Sequence, residues 1–149
     1  MIVLDTNVVS ELMRQVPDDT VVRWVDRYPA DEVFVTAVTA AELEYGVARL
    51  PAGRRKTVLA AKVAELLAED LEDQILPFDC AAAEYYGTIA AAREEQGRPI
   101  SIADAQIAAI CRRFAACLAT RNIKDFVDTG LTLLNPWGDA LELEDGRER

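Results

Sequence analysis

The chain begins MIVLDTNVV (residues 1–9), and this segment decides how the rest of the fold is interpreted. Ile2–Leu4 is a short apolar run, typical of a strand that is buried on both faces of a sheet. The run stops at Asp5, after which Thr6 or Asn7 can cap a helix. If the strand is parallel and central, Asp5 lies at its carboxyl end, where α/β proteins bind ligands. Asp5 could equally serve only as a helix cap, and the two roles are compatible.

The same alternation of strand and helix continues along the chain. Further strands are predicted at residues 33–36, 75–78, 117–119 and 131–134, each apolar or β-branched. Helices are predicted between them, beginning at cap residues near 18, 39, 53, 79 and 101 and ending near 28, 50, 71, 96 and 114. This order favours an α/β fold, a three-layer α/β/α sandwich with a mostly parallel central sheet.

No internal repeat or linker divides the sequence. We therefore expect one domain over residues 1–138, followed by a charged, flexible tail at 139–149. No apolar run reaches the length of a membrane span, so we expect no membrane association. The first apolar stretch has no basic region ahead of it and does not resemble a signal peptide. A cytoplasmic protein is expected.

The sequence contains no histidine. That excludes a Ser-His-Asp triad, a Cys-His pair and imidazole-based RNA cleavage, and it argues against a catalytic zinc site. The three cysteines are widely spaced without a CxxC pair, so we expect small buried thiols. An enzyme of this composition is limited to carboxylates acting with a hard cation, or to a covalent Ser, Thr, Lys or Cys.

The formal net charge is −10, which argues against a general nucleic-acid-binding protein. It does not exclude a nucleic-acid enzyme, because a bound Mg²⁺ supplies local positive charge. It also suits a basic partner. Seven basic residues could contact phosphates, but basic residues on solvated helices are more often ordinary surface, so none is assigned: Arg14, Arg49, Arg54, Arg55, Lys56, Arg98 and Arg121.

Asp104 lies in a predicted helix that is apolar almost all round. Such a helix is largely buried, and a carboxylate there is unfavourable unless it is paired or bound to a cation. The alternative is that Asp104 only complements the helix dipole near the N-terminus.

Two further acidic positions are less distinctive. Glu42 and Glu44 point to roughly opposite sides of one helix, and spacing does not decide between them. Asp125 follows the predicted strand at 117–119, in a polar loop that begins at Thr120. Carboxylates gathered at strand ends repel one another unless a divalent cation compensates them, and oxygen ligands favour Mg²⁺ or Mn²⁺. Such an ion can activate water for phosphodiester cleavage.

These segments together resemble the PIN-domain family, in particular toxins of the VapC and FitB kind. The matching stretches are 2–8 (IVLDTNV), 36–43 (TAVTAAEL), 99–107 (PISIADAQI), 119–126 (ATRNIKDF) and 135–137 (NPW). Each motif is modest by itself, but they occur in the family's order and extend over nearly the whole chain to about Trp137.

The resemblance implies a parallel α/β/α fold and Mg²⁺- or Mn²⁺-dependent RNA cleavage. The family's acidic cluster then corresponds to Asp5, Glu42 and Asp104, and it is the resemblance that selects Glu42 over Glu44. The fourth acid corresponds to Asn122 or Asp125, and we favour Asp125. We expect Asp5 and Asp104 to hold the metal. Small polar residues that match the lining of the family's site are Thr6, Asn7, Thr120 and Asn122.

The resemblance also implies partners. Such toxins are usually neutralised by an antitoxin that places a basic side chain in the acidic site, and they commonly form homodimers. Operator DNA is expected to be contacted only through the antitoxin. An alternative is an inactive PIN-like module that binds RNA or a protein without cleaving. A receiver domain and a haloacid-dehalogenase-like phosphatase fit less well, because neither expected acidic pair follows the first strand.

Overall fold

The computed structural model describes residues 1–138, and the expected flexible tail at 139–149 lies outside the described residues. The strands are β1 (Ile2–Leu4), β2 (Val33–Thr36), β3 (Ile75–Leu76), β4 (Cys117–Ala119) and β5 (Leu133–Leu134). The helices are α1 (Thr6–Leu12), α2 (Asp19–Asp26), α3 (Ala37–Ala48), α4 (Arg54–Glu65), α5 (Cys80–Glu95) and α6 (Ile102–Arg113). None of these helices is long and apolar enough to cross a membrane.

The five strands form one sheet in the order β3-β2-β1-β4-β5. Every neighbouring pair is parallel, and Val3 at the centre of β1 is in register with Phe34 on one side and Leu118 on the other. The predicted parallel sheet is confirmed, with β1 at its centre. The carboxyl ends of β2, β1 and β4 therefore lie side by side at one edge.

Helices cover both faces of the sheet. Because successive side chains of a strand point to opposite faces, Ile2 and Leu4 pack in one core and Val3 packs in the other. The first core is completed by side chains of α1 to α4, and the second by side chains of α5 and α6. The predicted three-layer α/β/α sandwich is confirmed.

Two helix caps differ from the prediction. Helix α1 is capped by Asp5 itself and not by Thr6 or Asn7, because the Asp5 side chain accepts from the Thr6 backbone N–H. Helix α3 begins three residues earlier than predicted, and its cap is Thr36 and not Thr39. Both helices therefore start directly at a strand end, which draws their first turns to the carboxyl edge of the sheet.

Other boundaries differ more mildly. The helix predicted over 54–71 ends as regular α-helix at Glu65, and Leu66–Asp70 forms a π-helical turn. Strands β3 and β5 are two residues each and shorter than predicted. The caps Asp79 and Ser101 are confirmed.

The cysteines match their prediction only in part. Cys111 is buried, but Cys80 at the start of α5 is exposed, so the expectation of three buried thiols was wrong. All three are free thiols.

Candidate active site

Asp5 is a buried carboxylate at the edge of the sheet where the carboxyl ends of the strands lie. Its side chain is 5 % exposed although it is a carboxylate. Its Oδ1 accepts from the Thr6 backbone N–H at 2.8 Å, and its Oδ2 accepts from Thr120 Oγ1 at 2.8 Å and Asn7 Nδ2 at 3.1 Å. The Asp5 backbone N–H also donates to the carbonyl of Ala119 at 2.9 Å. The carboxylate is therefore held rigidly between the ends of β1 and β4.

Glu42 reaches the same edge from the first turns of α3. Thr6 Oγ1 donates to Glu42 Oε1 at 2.7 Å, and the Thr6 and Thr39 hydroxyl oxygens lie 3.0 Å apart. Thr39 is buried on the turn that Thr36 caps. Glu44 is exposed, and its side chain makes no hydrogen bond or ion pair with any residue in 1–138. The structure thus brings Glu42, and not Glu44, into contact with the residues around Asp5.

Asp104 approaches from the opposite layer. It lies in the first turn of α6, where its backbone N–H donates to the cap Ser101 at 3.1 Å, and its side chain is half-buried. Burial raises the pKa of Asp104, and the nearby charges of Asp5, Asp125 and Glu42 raise it further, while a hydrogen bond from Ser101 opposes the change. The charges of all three other candidate acids therefore act on Asp104.

The loop after β4 carries the fourth acid. Thr120 Oγ1 accepts from the Asn122 backbone N–H at 3.0 Å, and Asn7 Oδ1 accepts from the Arg121 backbone N–H at 3.3 Å. The side chain of Asn122 is exposed, whereas the charge of Asp125 acts on Asp104. These contacts favour Asp125 as the fourth acid and give Asn122 a role in positioning Thr120.

Sequence reasoning did not identify Arg93, which holds the Asp125 segment in place. Arg93 is 5 % exposed on α5, and its Nη1 donates to the carbonyls of Asp125 at 2.9 Å and Val127 at 3.1 Å. Its Nε donates to the carbonyl of Arg98 at 2.8 Å. Three carbonyls of two loops are thus tied to one buried guanidinium. No sequence signal separates Arg93 from a surface arginine, because its acceptors are backbone atoms.

We call Asp5, Glu42, Asp104 and Asp125 the acidic cluster. Burial raises the pKa of Asp5 most strongly, with the charge of Glu42 adding to the effect and the hydrogen bonds from Thr120, Thr6 and Asn7 opposing it. Within residues 1–138, none of the four acids forms an ion pair with Lys or Arg. The cluster therefore has an unbalanced negative charge in a partly buried place.

Such a charge favours a hard divalent cation, and the donors present are all oxygens. Within the described part of the chain, however, no three Asp, Glu or Cys side chains are grouped closely enough to hold a metal ion by themselves. The charges of the other three acids act on Asp104, but the four side chains do not surround a single metal position. This arrangement fits Mg²⁺, which usually keeps several waters and binds through one or two carboxylates. The chain has no histidine, and a cation with its bound water is one chemistry that these oxygen donors can support.

Comparisons with known proteins show similarity to one family. The family model for the PIN domain matches residues 2–130. The chain is 38% identical over 140 residues to VapC ribonuclease Y4jK of Sinorhizobium fredii, covering 94% of this chain and all of that protein. It is 37% identical to Toxin FitB of Neisseria gonorrhoeae, covering 93% of this chain and all of that protein. Among solved structures, FitAB bound to an IR36 DNA fragment matches with a TM-score of 0.86 at 36% identity, covering 93% of this chain and 96% of the other.

Proposed function

This chain belongs to the PIN domain family, and from that membership we propose that it is the ribonuclease toxin of a toxin–antitoxin pair. The observation that carries the proposal is the acidic cluster at the carboxyl edge of the sheet, with the pKa of Asp104 raised by burial and by the other three acids. Relatives of nearly the same length are named as a ribonuclease and a toxin. Residues 1–138 form the proposed catalytic domain.

We assign the roles of the residues from the contacts that support them. Asp5 and Asp104 would hold Mg²⁺ or Mn²⁺, because both are partly desolvated carboxylates whose negative charge is unpaired. When bound, such an ion supplies an activated water and neutralises charge at the phosphorus. Glu42 and Asp125 complete the negative charge and orient water. The supporting residues fix these acids: Thr6 orients Glu42, Asn7 and Thr120 orient Asp5, and Asn122 holds Thr120.

The proposed partners are an RNA substrate and a cognate antitoxin. An antitoxin with a basic side chain would neutralise the acidic cluster, and the net charge of −10 favours association with such a partner. One solved relative is described as a FitAB complex bound to DNA, so we propose that any operator contact of this chain is made through its antitoxin. Because the proposed substrate is RNA, we also propose that the chain acts in the cytoplasm.

We also propose that the chain forms a homodimer. One chain has a mass of 16.4 kDa. Light scattering of the purified protein at micromolar concentration should give twice that mass. A mass of a single chain at that concentration would contradict this part of the proposal.

The direct test is cleavage of a mixed RNA panel by purified, antitoxin-free protein. Cleavage is expected with Mg²⁺ or Mn²⁺ and should disappear with EDTA, because none of the four acids forms an ion pair with a Lys or Arg side chain within residues 1–138. Return of cleavage when excess Mg²⁺ is added back would show that EDTA removed the ion without unfolding the protein. A folded protein that retains the RNA without cutting it would instead support a PIN-like binding module.

A further inference from the structure

Residues 45–64 are unlike the rest of this acidic chain. Across twenty consecutive positions they contain no Asp or Glu, whereas the whole chain has 26 acids among 149 residues. The same segment includes five cations, Arg49, Arg54, Arg55, Lys56 and Lys62. It spans the end of α3, the loop 49–53 and most of α4. Positive charge is therefore concentrated on one helical hairpin.

This hairpin forms one wall of an open groove of about 1340 Å³. The opposite wall is the end of α1 and the residues after it, including Arg14 and Val16. Thr6 and Glu42 line the groove, which therefore opens directly onto the acidic cluster. We call this feature the basic groove.

The charges that line the basic groove are strongly one-sided. Its cationic side chains are Arg14, Arg49, Arg54, Arg55 and Lys62, of which Arg14 is paired with Glu11 at 3.0 Å, and Glu42 is the one acidic side chain among its lining residues. Within residues 1–138, Arg49, Arg54 and Arg55 form no ion pair, and all three are exposed. A cleft lined by one sign of charge concentrates ions of the opposite sign. The basic groove is thus a local anion-attracting surface on a protein that repels anions as a whole.

We propose that the basic groove binds the sugar–phosphate backbone of single-stranded RNA beside the bond that is cut, with Arg54 and Arg55 contacting phosphates. The proposal rests on the proposed ribonuclease function and specifies the surface that holds its substrate. A polyanion approaching a cluster of four carboxylates needs nearby cations to offset the repulsion. The basic groove supplies them at the point where it meets Glu42.

Other features of the groove suit a single strand. Its lining includes Leu50 and Val58, which are at least partly exposed and can contact sugars and bases. Tyr45 is 66% exposed beside it, with the Arg49 guanidinium 5.9 Å from its ring. Exposed aromatic and guanidinium planes are the surfaces on which unpaired bases stack. An acidic amphipathic protein segment is the competing occupant.

The test uses the full chain with Asp104→Asn, so that RNA is bound without being cut. Affinity for a mixed-sequence single-stranded RNA with methylated 2′-hydroxyls is measured over a series of salt concentrations. Arg54→Gln/Arg55→Gln should weaken binding at low salt by about tenfold or more. It should also reduce the slope of log K against log salt by about 0.7 for each phosphate that the protein no longer neutralises. Arg54→Lys/Arg55→Lys should largely restore the slope, because the charge is kept.

The matched control is Arg23→Gln/Arg27→Gln. Arg23 lies on α2, and Arg27 directly follows its last residue. This control removes the same two charges from exposed positions that do not line the basic groove. Its slope should stay close to that of the parent, and thermal unfolding should show that all variants are folded. Equal slopes for the groove variant and the parent, or equal reductions in groove and control variants, would overturn the proposal.

Two further outcomes separate the possible failures. A groove variant that keeps its RNA affinity but no longer binds an acidic amphipathic peptide would also overturn the proposal and identify a protein-binding site. If the wild-type chain fails to cut RNA with metal, the proposed function fails, yet the RNA-binding measurement still reports on the groove. In an active wild-type background, the groove variant should raise KM while leaving kcat nearly unchanged.

Discussion

Asp104→Asn is expected to abolish RNA cleavage and, without divalent cations, to raise the thermal unfolding midpoint at neutral pH. The activity should fall by at least about a thousandfold, the upper range for removal of one group that stabilises charge in the transition state. The stability should rise because burial and three neighbouring carboxylates disfavour the ionised form of Asp104, as its raised pKa indicates. Asparagine keeps the shape of the side chain and removes the charge.

The sign of the pH dependence follows from the same shift. The folded-state pKa of Asp104 lies above the unfolded value of about 3.9. The folded protein therefore binds more protons than the unfolded chain between these two pKa values, and stability is lost as pH rises through that window. Without metal, the wild-type midpoint should fall over this interval, and the fall should be smaller in Asp104→Asn. Added Mg²⁺ should raise the midpoint of the wild type more than that of the variant.

Glu44→Gln provides the matched control for Asp104→Asn. It removes the same charge from the other candidate glutamate of α3, which is exposed and has no partner within residues 1–138. It should leave both cleavage and the unfolding midpoint close to those of the wild type. Retained cleavage in folded Asp104→Asn, or an equal loss of activity in Glu44→Gln, would remove Asp104 from its assigned role.

The fold could be predicted because the apolar run with the clearest strand pattern, Ile2–Leu4, forms the central strand of the sheet. Ile2–Leu4 is buried on both faces, so its side chains had to be apolar without alternation. The start of α3 could not be placed correctly, because Thr36 and Thr39 are equally good caps in sequence. What separates them is tertiary, because the hydroxyl of Thr39 is occupied by contact with Thr6. The end of α4 was missed because its sequence continues smoothly into the π-helical turn.

The candidate site was only partly accessible from sequence. Spacing left Glu42 and Glu44 equivalent, and the resemblance chose between them before the contact with Thr6 was known. Arg93 could not be found, because its burial depends on carbonyls more than thirty positions away in sequence. The basic groove was also missed as a unit, since its walls come from the end of α1 and from the hairpin of α3 and α4. No single basic residue indicates a binding surface in the sequence. The sequence signal for the groove is that residues 45–64 contain five cations and no Asp or Glu.

Asp5→Asn is expected to abolish cleavage as completely as Asp104→Asn, but to lower the unfolding midpoint instead of raising it. Both variants remove a carboxylate assigned to the metal, so RNA cleavage with Mg²⁺ should disappear in each. Their stabilities should differ because Asp5 is a structural acceptor as well, with donors on both of its oxygens.

An asparagine at this position has one acceptor oxygen where the carboxylate has two. If that oxygen accepts from the Thr6 backbone N–H, the new amide nitrogen faces the amide of Asn7, which donates to Asp5 in the wild type. Asn7 cannot rotate its amide freely, because its Oδ1 accepts from the Arg121 backbone N–H. A buried donor left unpaired costs about 1–3 kcal/mol. Removal of the charge offsets part of this cost, since the pKa of Asp5 is raised, but the substitution also removes hydrogen bonds that limit that rise.

Urea unfolding of both variants without divalent cations, at neutral pH, measures the difference. Opposite shifts relative to the wild type are expected, with cleavage absent in both. Equal stabilisation of the two variants would mean that the contacts of Asp5 contribute no net stability. It would then follow that both acids are present for their charge alone. Opposite shifts would separate the roles of the two aspartates. Asp104 contributes charge and lowers stability, whereas Asp5 contributes charge and also joins β1 to β4 at the edge where the acids meet.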